Sequence, residues 1–285
     1  ASMYTLAINV VMILTIFGTD QSFIRFYYEE EKENRSKLLY ACLKLPLITT
    51  LLVSILILLL NQRITLFLFN ESNFFIAIII VLGVIIQLFN RYAKLVIRME
   101  QKGNLYSIIE ILDKVLRLVF LISIFSLIGS SYEVIIYSTI LTLLIVAVIA
   151  FLFGRSQWNI KNCTNKSLNH TQKDILKYGS PFVLTIFITW LFESFDKIAI
   201  RYWSTYEQLG IYSIAFQLVA MLTILRSTFS TFWTPVSYEA FIKKPDNKSF
   251  FENMTNIVSF VMFAVAIASI AGKDIIILLL GNQYS

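Results

Sequence analysis

The chain has 285 residues, of which 57% are hydrophobic and 15% are charged, and its net charge is +6. Apolar runs recur along the whole chain instead of filling one core, which excludes a soluble globular protein and indicates that lipid is its solvent. The basic residues lie between these apolar runs, so we interpret them as signals of membrane topology and expect no nucleic-acid partner.

The hydropathy pattern predicts an all-α, polytopic membrane protein with about eight transmembrane helices. These helices are expected at residues 2–17, 38–60, 74–98, 105–128, 132–153, 175–202, 208–235 and 250–271. The first is short, as in a chain that begins inside a longer protein. Connectors rich in Lys and Arg alternate with connectors that are poor in them, and the positive-inside rule assigns the rich ones to the cytoplasm.

An internal repeat indicates two helical bundles. A shift of 208 residues superimposes the first predicted helix on the seventh, for example Tyr4 on Tyr212 and Ala7 on Ala215. A repeat of six helices is typical of parallel bundles in transporters of at least about twelve helices. We therefore predict three parts: an N-terminal bundle that lacks its first helix, a cytoplasmic linker and a truncated C-terminal bundle, at residues 1–153, 154–174 and 175–285.

Three predicted helices carry ionisable residues, each of which costs about 2.5 to 3.5 kcal/mol at mid-bilayer. Helix 105–128 has two acid–base pairs at a spacing of four residues on one face, Glu110 with Lys114 and Asp113 with Arg117. The three charged stripes consist of Gln87, Arg91, Lys94 and Arg98, then Glu110, Asp113, Lys114 and Arg117, then Glu193, Asp196 and Lys197.

Cations outnumber carboxylates in these stripes by six to four. This excess predicts a hydrated, mildly cationic cavity that suits an anionic cargo such as a diphosphate, because Arg and Lys both bind phosphate oxygens. The four carboxylates are candidates for proton coupling, which ion pairing would oppose. The alternative for any single residue is that it fastens two helices together or extends to the cytoplasmic interface.

Other sequence features have simpler interpretations. Cys42 lies in an apolar run and Cys163 in a polar connector, so we expect no disulfide, no metal site and no cofactor. The connector that holds the only histidine, His170, is rich in Asn and Lys and is expected to be a solvated linker. Pro181 is expected to begin a helix and Pro235 to bend one.

The run from Gly18 to Glu29, GTDQSFIRFYYE, resembles the segment that follows the second helix in the lipid-linked oligosaccharide flippases of bacterial O-antigen (lipopolysaccharide) and capsule clusters. These flippases form the polysaccharide-transporter branch of the multidrug/oligosaccharidyl-lipid/polysaccharide (MOP) exporter superfamily. Later landmarks follow in that family's order at residues 178–181, 193–197, 210–213 and 233–235. The family often has Asp-Arg where this chain has Asp196-Lys197, which keeps the charge but loses the bidentate fork.

This resemblance implies alternating access by two bundles, which moves an undecaprenyl-diphosphate oligosaccharide across the bacterial plasma (inner) membrane to the outer leaflet. It also implies that Asp20 and Arg25 form a cytoplasmic gate motif. The implied partners are the lipid-linked oligosaccharide and membrane lipids, and candidate partners are the polymerase and glycosyltransferases of the same pathway.

Two alternatives stay open at this point. A drug/cation antiporter of the same superfamily would share the architecture, but its cavity should be acidic and aromatic. A membrane glycosyltransferase or polymerase would need a catalytic acid at the surface, whereas the outer connectors are short and show no Ser/His/Asp set or phosphate-binding loop. We therefore expect a transporter rather than an enzyme.

Overall fold

The computed structural model describes residues 2–69, 73–129, 133–159, 167–203 and 226–271. Ten α-helices occupy these ranges: α1 Ser2–Ile16, α2 Thr19–Phe26, α3 Arg35–Leu59, α4 Asn61–Phe69, α5 Phe74–Met99, α6 Gly103–Ile128, α7 Glu133–Phe153, α8 Gln172–Trp203, α9 226–243 and α10 Lys248–Ala271. Short 3-10 turns lie at Lys32–Asn34 and Arg155–Trp158. The predicted all-α, polytopic membrane fold is confirmed.

Four of the described helical segments are long and apolar enough to cross a membrane. They are residues 32–59, 74–99, 133–153 and 248–268, and the bent pair formed by α1 and α2, with an angle of 55°, makes a fifth. The predicted number of eight is not reached within the described ranges. Helix α6 has the required length but carries four ionisable residues, and most of the predicted helix 208–235 lies outside the described residues.

The chain divides into two compact units, residues 1–186 and 187–285. In the first unit, α5 is the central helix and packs against α1, α3, α4, α6 and α7. In the second unit, the Trp233 ring of α9 lies 5.4 Å from the ring of Phe250 on α10. The predicted bundle and linker boundaries at 153 and 174 concern membrane topology and stay predictions.

Three prolines lie inside described helices, namely Pro46 of α3, Pro181 of α8 and Pro235 of α9. Pro46 of α3 has no N–H to bond the carbonyl of Cys42, and the Tyr92 hydroxyl of α5 donates to that carbonyl at 3.3 Å. Pro181 does not begin a helix as predicted, because α8 runs through it from Gln172. The start of α8 is instead set by a reciprocal cap at Thr171 and Asp174.

The cap of α8 consists of hydrogen bonds in both directions. Thr171 donates its N–H and its hydroxyl to Asp174 Oδ2 at 2.9 and 2.6 Å, and the Asp174 N–H donates to Thr171 Oγ1 at 3.3 Å. These bonds to the charged carboxylate lower the pKa of Asp174. A Thr followed three residues later by Asp is the sequence signal for this helix start.

The connector between α7 and α8 is largely exposed at its C-terminal end, but His170 and Asn169 make specific contacts that the expectation of a solvated linker did not include. The His170 ring stacks on Phe26 with centroids 3.9 Å apart, and its Nε2 lies 2.8 Å from a Glu29 carboxylate oxygen. The Asn169 N–H donates to Glu30 Oε1 at 2.9 Å. Glu30 is only 3% exposed, and this burial raises the pKa of its carboxyl.

Candidate functional site

The polar stripe of α5 faces cavities inside the first unit. Its members recur at a spacing of three or four residues, which places them on one side of an α-helix. Gln87, Asn90, Arg91, Lys94 and Arg98 all line the same cavity. The opposite side of α5 packs into the apolar core, where Tyr92, Val96 and Met99 are almost fully buried. The helix is therefore held in place by its apolar side and presents its polar side to a cavity.

Three neighbouring cavities meet along this stripe. The bend cavity, of about 340 Å³, lies beside the α1–α2 bend and is also lined by α5 and α8. The α6 cavity, of about 210 Å³, lies between α1, α5, α6 and α7. The Arg98 cavity, of about 250 Å³, lies between α2, α5 and α6. Gln87 lines all three, so they adjoin one another around a single side chain.

The structure brings together the predicted cationic residues of α5 and α6. Arg91, Lys94 and Arg98 line the Arg98 cavity, and Lys94 also lines the α6 cavity together with Lys114 and Arg117. These five cations face three carboxylates, those of Asp20, Glu110 and Asp113. The described part of the site therefore has a cationic excess of two.

Three predicted site residues fall outside what the structure describes. Glu193, Asp196 and Lys197 belong to helix α8, but their side chains are not among the described ones. Their predicted place in a cavity stays a prediction.

Asp20 is the buried anchor of the site. Its side chain is 6% exposed, and its Oδ2 accepts hydrogen bonds from Arg91 Nη2 at 2.6 Å and Nε at 3.1 Å. The Gln21 amide donates to the same oxygen at 3.1 Å. Asp20 follows the bend between α1 and α2, where Gly18 has a φ of +67° that favours glycine. The bend thus aims a carboxylate at the middle of α5.

The two residues of the predicted gate motif have different partners. Asp20 pairs with Arg91 on α5, whereas Arg25 pairs with Glu29 one turn further along its own segment. Glu29 is also the partner of His170. Arg25 therefore belongs to the contact between α2 and the connector that precedes α8, and Asp20 to the cavity.

One predicted ion pair is wrong. Glu110 does not pair with Lys114 but with Lys94 of α5, at 2.9 Å. Lys114 lies instead 3.5 Å from Asp113, and Arg117 lies 4.0 Å from the other oxygen of the same carboxylate. The close packing of α5 against α6 brings a cation nearer to Glu110 than the next turn of its own helix does. Asp113 is consequently shared by two cations.

The remaining surface of α6 suits lipid. Ile111, Val115, Leu118 and Ile122 are all at least half exposed, whereas the Asp113 side chain on the cavity side is 8% exposed. Asp113 is thereby sheltered and its cation partners lie around it, while the helix keeps an apolar outer face. This division supports the predicted polar face of this helix.

Two of the segments on which the predicted resemblance rests contact each other in the first unit. A Cβ added to Gly179 of α8 would lie 2.7 Å from the carbonyl oxygen of Gly18 at the α1–α2 bend. The Ser22 hydroxyl donates to the Ile175 carbonyl at 2.6 Å across the same contact. Two backbones approach this closely only where side chains are absent. The bend that carries Asp20 is therefore packed directly on α8.

Neutral amides near the charges were missed by the sequence analysis. Asn90 lines the α6 and Arg98 cavities, and Asn9 of α1 lines the bend and α6 cavities. Asn90 lies three residues after Gln87 and four before Lys94, so the helical spacing of the charged stripe was the signal that could have identified it. Within the described ranges, no group of three His, Cys, Asp or Glu residues is placed to hold a metal ion.

Comparison with known proteins identifies the family. No curated protein and no solved structure matches the chain. A family model described as polysaccharide biosynthesis protein matches residues 1–285, which is the whole sequence. This multi-pass membrane protein therefore belongs to the polysaccharide biosynthesis protein family.

Proposed function

We propose that the protein is a flippase that translocates an undecaprenyl-diphosphate-linked oligosaccharide across the bacterial plasma membrane by alternating access and that it catalyses no reaction. The observation that carries the proposal is the polar, cationic set of cavities inside the first unit. Membership of a polysaccharide biosynthesis family supports the cargo class. The inner-membrane location, the lipid-linked substrate and the pathway enzymes as partners all belong to the proposal.

The cation arrangement suits a diphosphate better than a cationic drug. Each of the three described carboxylates already has a cation beside it: Asp20 has Arg91, Glu110 has Lys94, and Asp113 has Lys114 and Arg117. A cationic cargo would have to displace one of these partners. An anionic cargo instead meets the cations that exceed the carboxylates, and Arg and Lys are the side chains that bind phosphate oxygens.

The electrostatic benefit is large enough to matter. Two unit charges 4 Å apart interact by about 4 kcal/mol at the effective dielectric of a protein surface, compared with about 1 kcal/mol in water. The cavities are enclosed by helices, so a phosphate beside Arg117 or Lys114 lies between these limits. A difference of about 1.4 kcal/mol already changes an equilibrium tenfold.

The size and surroundings of the cavities suit a head group and leave the lipid tail in the bilayer. Their volumes of about 340, 210 and 250 Å³ together fall in the range of about 300 to 1,000 Å³ that small-molecule sites occupy. Apolar side chains of α3 such as Leu51, Leu52 and Leu59 are more than half exposed and suit lipid contact. A polyprenyl tail can thus stay in lipid while the sugar crosses inside the protein.

Complementation tests the proposal. The gene that encodes this chain is expressed in a strain that lacks its surface-polysaccharide flippase, and both surface polymer and cytoplasmic lipid-linked sugar are measured. Restored polymer together with a fall in the trapped intermediate is the expected result. Drug resistance without restored polymer, from a protein confirmed to be folded and inserted, would favour the antiporter and overturn the proposal.

A further inference from the structure

Two amide side chains at the centre of the cavities have polar atoms without a protein partner. Gln87 Oε1 and Asn90 Oδ1 are both buried, and neither has a hydrogen-bond partner among the described residues. Asn90 as a whole is only 4% exposed.

A buried polar atom without a hydrogen-bond partner destabilises the folded protein, because it has lost its hydrogen bonds to water. Most buried polar atoms in proteins have a partner, and those that lack one are satisfied by water or by a ligand. Gln87 lines all three cavities and Asn90 lines two of them. Both side chains therefore border the cavities, where a group that enters is placed to supply the hydrogen bonds that the described residues do not.

The charge distribution indicates which part of a cargo belongs there. The two cations nearest in sequence to these amides, Arg91 and Lys94, are paired with Asp20 and Glu110. The other cations lie on either side, with Arg98 in one cavity and with Lys114 and Arg117 around Asp113 in another. The position of Gln87 and Asn90 is thus polar but close to neutral, and it is flanked by positive charge.

We infer that Gln87 and Asn90 bind the sugar hydroxyls of the cargo, while the flanking cations bind its diphosphate. A primary amide offers an acceptor and two donors, so it can bond two neighbouring hydroxyls at once. Two amides one helical turn apart on the same face of α5 present this pattern twice. The inference rests on the proposed function and adds to it the residues that recognise the carbohydrate.

The test compares two lipids that differ only by a sugar. Binding of undecaprenyl diphosphate and of undecaprenyl-diphosphate N-acetylglucosamine to the purified protein is measured in detergent by calorimetry. We expect the wild type to bind the sugar-bearing lipid about tenfold more tightly or better, since a site built for hydroxyls rejects an analogue that lacks them. The variant Gln87→Leu/Asn90→Leu should lose this preference and bind undecaprenyl diphosphate as the wild type does.

Two control variants separate the parts of the cargo site. Arg117→Ala should weaken the binding of both lipids to a similar degree, because it removes a contact to the diphosphate. Asn61→Leu replaces an amide of α4 outside the three cavities and should change neither affinity. The single variants Gln87→Leu and Asn90→Leu each report on one amide if the double variant does not fold.

Each contrary result has its own meaning. Equal binding of the two lipids by the wild type would overturn the inference and leave the proposed function standing. An unchanged preference in the amide variants would also overturn it and would assign the two amides to structural water. Failure of the wild type to bind either lipid would refute the proposed function, and the inference with it.

Discussion

The ion pair of Asp20 and Arg91 connects the α1–α2 bend to the charged stripe of α5. A double-mutant cycle measures the coupling free energy between these two residues. The variants are Asp20→Asn, Arg91→Ala and the combination of both. Asp20 is nearly buried, so removal of Arg91 leaves a carboxylate that keeps the hydrogen bond from the neighbouring Gln21 but loses its ion pair. We expect each single variant to be less stable than the wild type.

The magnitude follows from the geometry. Two hydrogen bonds at 2.6 and 3.1 Å join Arg91 to one oxygen of Asp20. A hydrogen bond to a charged group contributes about 1.5 to 3 kcal/mol when it is sheltered. The Arg91 side chain is 44% exposed, so solvent screening reduces the sum of the two bonds. We expect a coupling free energy of about 1.5 to 3 kcal/mol between the two residues.

The assay is reversible unfolding of the four proteins in detergent micelles, followed by circular dichroism. The coupling free energy is the change in the free energy of unfolding of the double variant minus the sum of the changes of the two single variants. The variants Glu239→Gln and Lys243→Ala, with their combination, provide a control cycle on an exposed pair, for which we expect about 0.3 to 0.5 kcal/mol. A coupling of Asp20 with Arg91 that is no larger than the control would refute the anchoring role of Asp20.

Three further predictions concern transport, packing and pH. Arg117→Ala should reduce transport in the complementation assay at least about fivefold and Lys243→Ala less than twofold, because only Arg117 lines a cavity; equal losses would argue against a cationic cargo site. Gly179→Ala should destabilise the fold by about 1 to 3 kcal/mol, since its Cβ would lie 2.7 Å from the Gly18 carbonyl oxygen, while Ser180→Ala on the exposed side of α8 should be nearly neutral in the same unfolding assay. Burial raises the pKa of Glu30, so the wild type loses stability as pH rises through that pKa, and Glu30→Gln should gain stability relative to the wild type over that window; parallel unfolding curves from about pH 4 to 8 would contradict this.

Hydropathy was sufficient to predict where most helices lie, because the length of an apolar run is set by the bilayer. Charged stripes were also visible in the sequence, since residues three or four apart share a helix face. The cations of α5 and α6 line cavities in the described residues, and their role in binding cargo stays a prediction. The prediction that Pro181 begins a helix was wrong, because a helix in a bundle can continue through a proline when its ends are capped elsewhere.

Contacts between distant segments could not be predicted from spacing. Asp20 and Arg91 are 71 residues apart, and their contact depends on the bend at Gly18 and on the packing of α2 against α5. The choice of Lys94 over Lys114 as the partner of Glu110 depends in the same way on the distance between two helices. Periodicity describes one helix at a time and contains no information about that distance.

Neutral and local polar features were missed for a different reason. Asn90 carries no charge, so it did not stand out among the cations of its own helix. The docking of His170 on Phe26 and Glu29 was missed because a polar, Asn-rich connector has the composition of a solvated loop. Composition indicates which segments can be solvated, but a few specific contacts decide whether they are.

The most direct test of the central claim is a flipping assay in proteoliposomes. The purified protein is reconstituted with a fluorescent undecaprenyl-diphosphate N-acetylglucosamine, and the fraction of the lipid protected from an impermeant quencher is followed over time. The account predicts that label crosses between leaflets faster than in protein-free vesicles and that Arg117→Ala slows this exchange. An exchange rate equal to that of protein-free vesicles, with folded protein confirmed in the membrane, would contradict it.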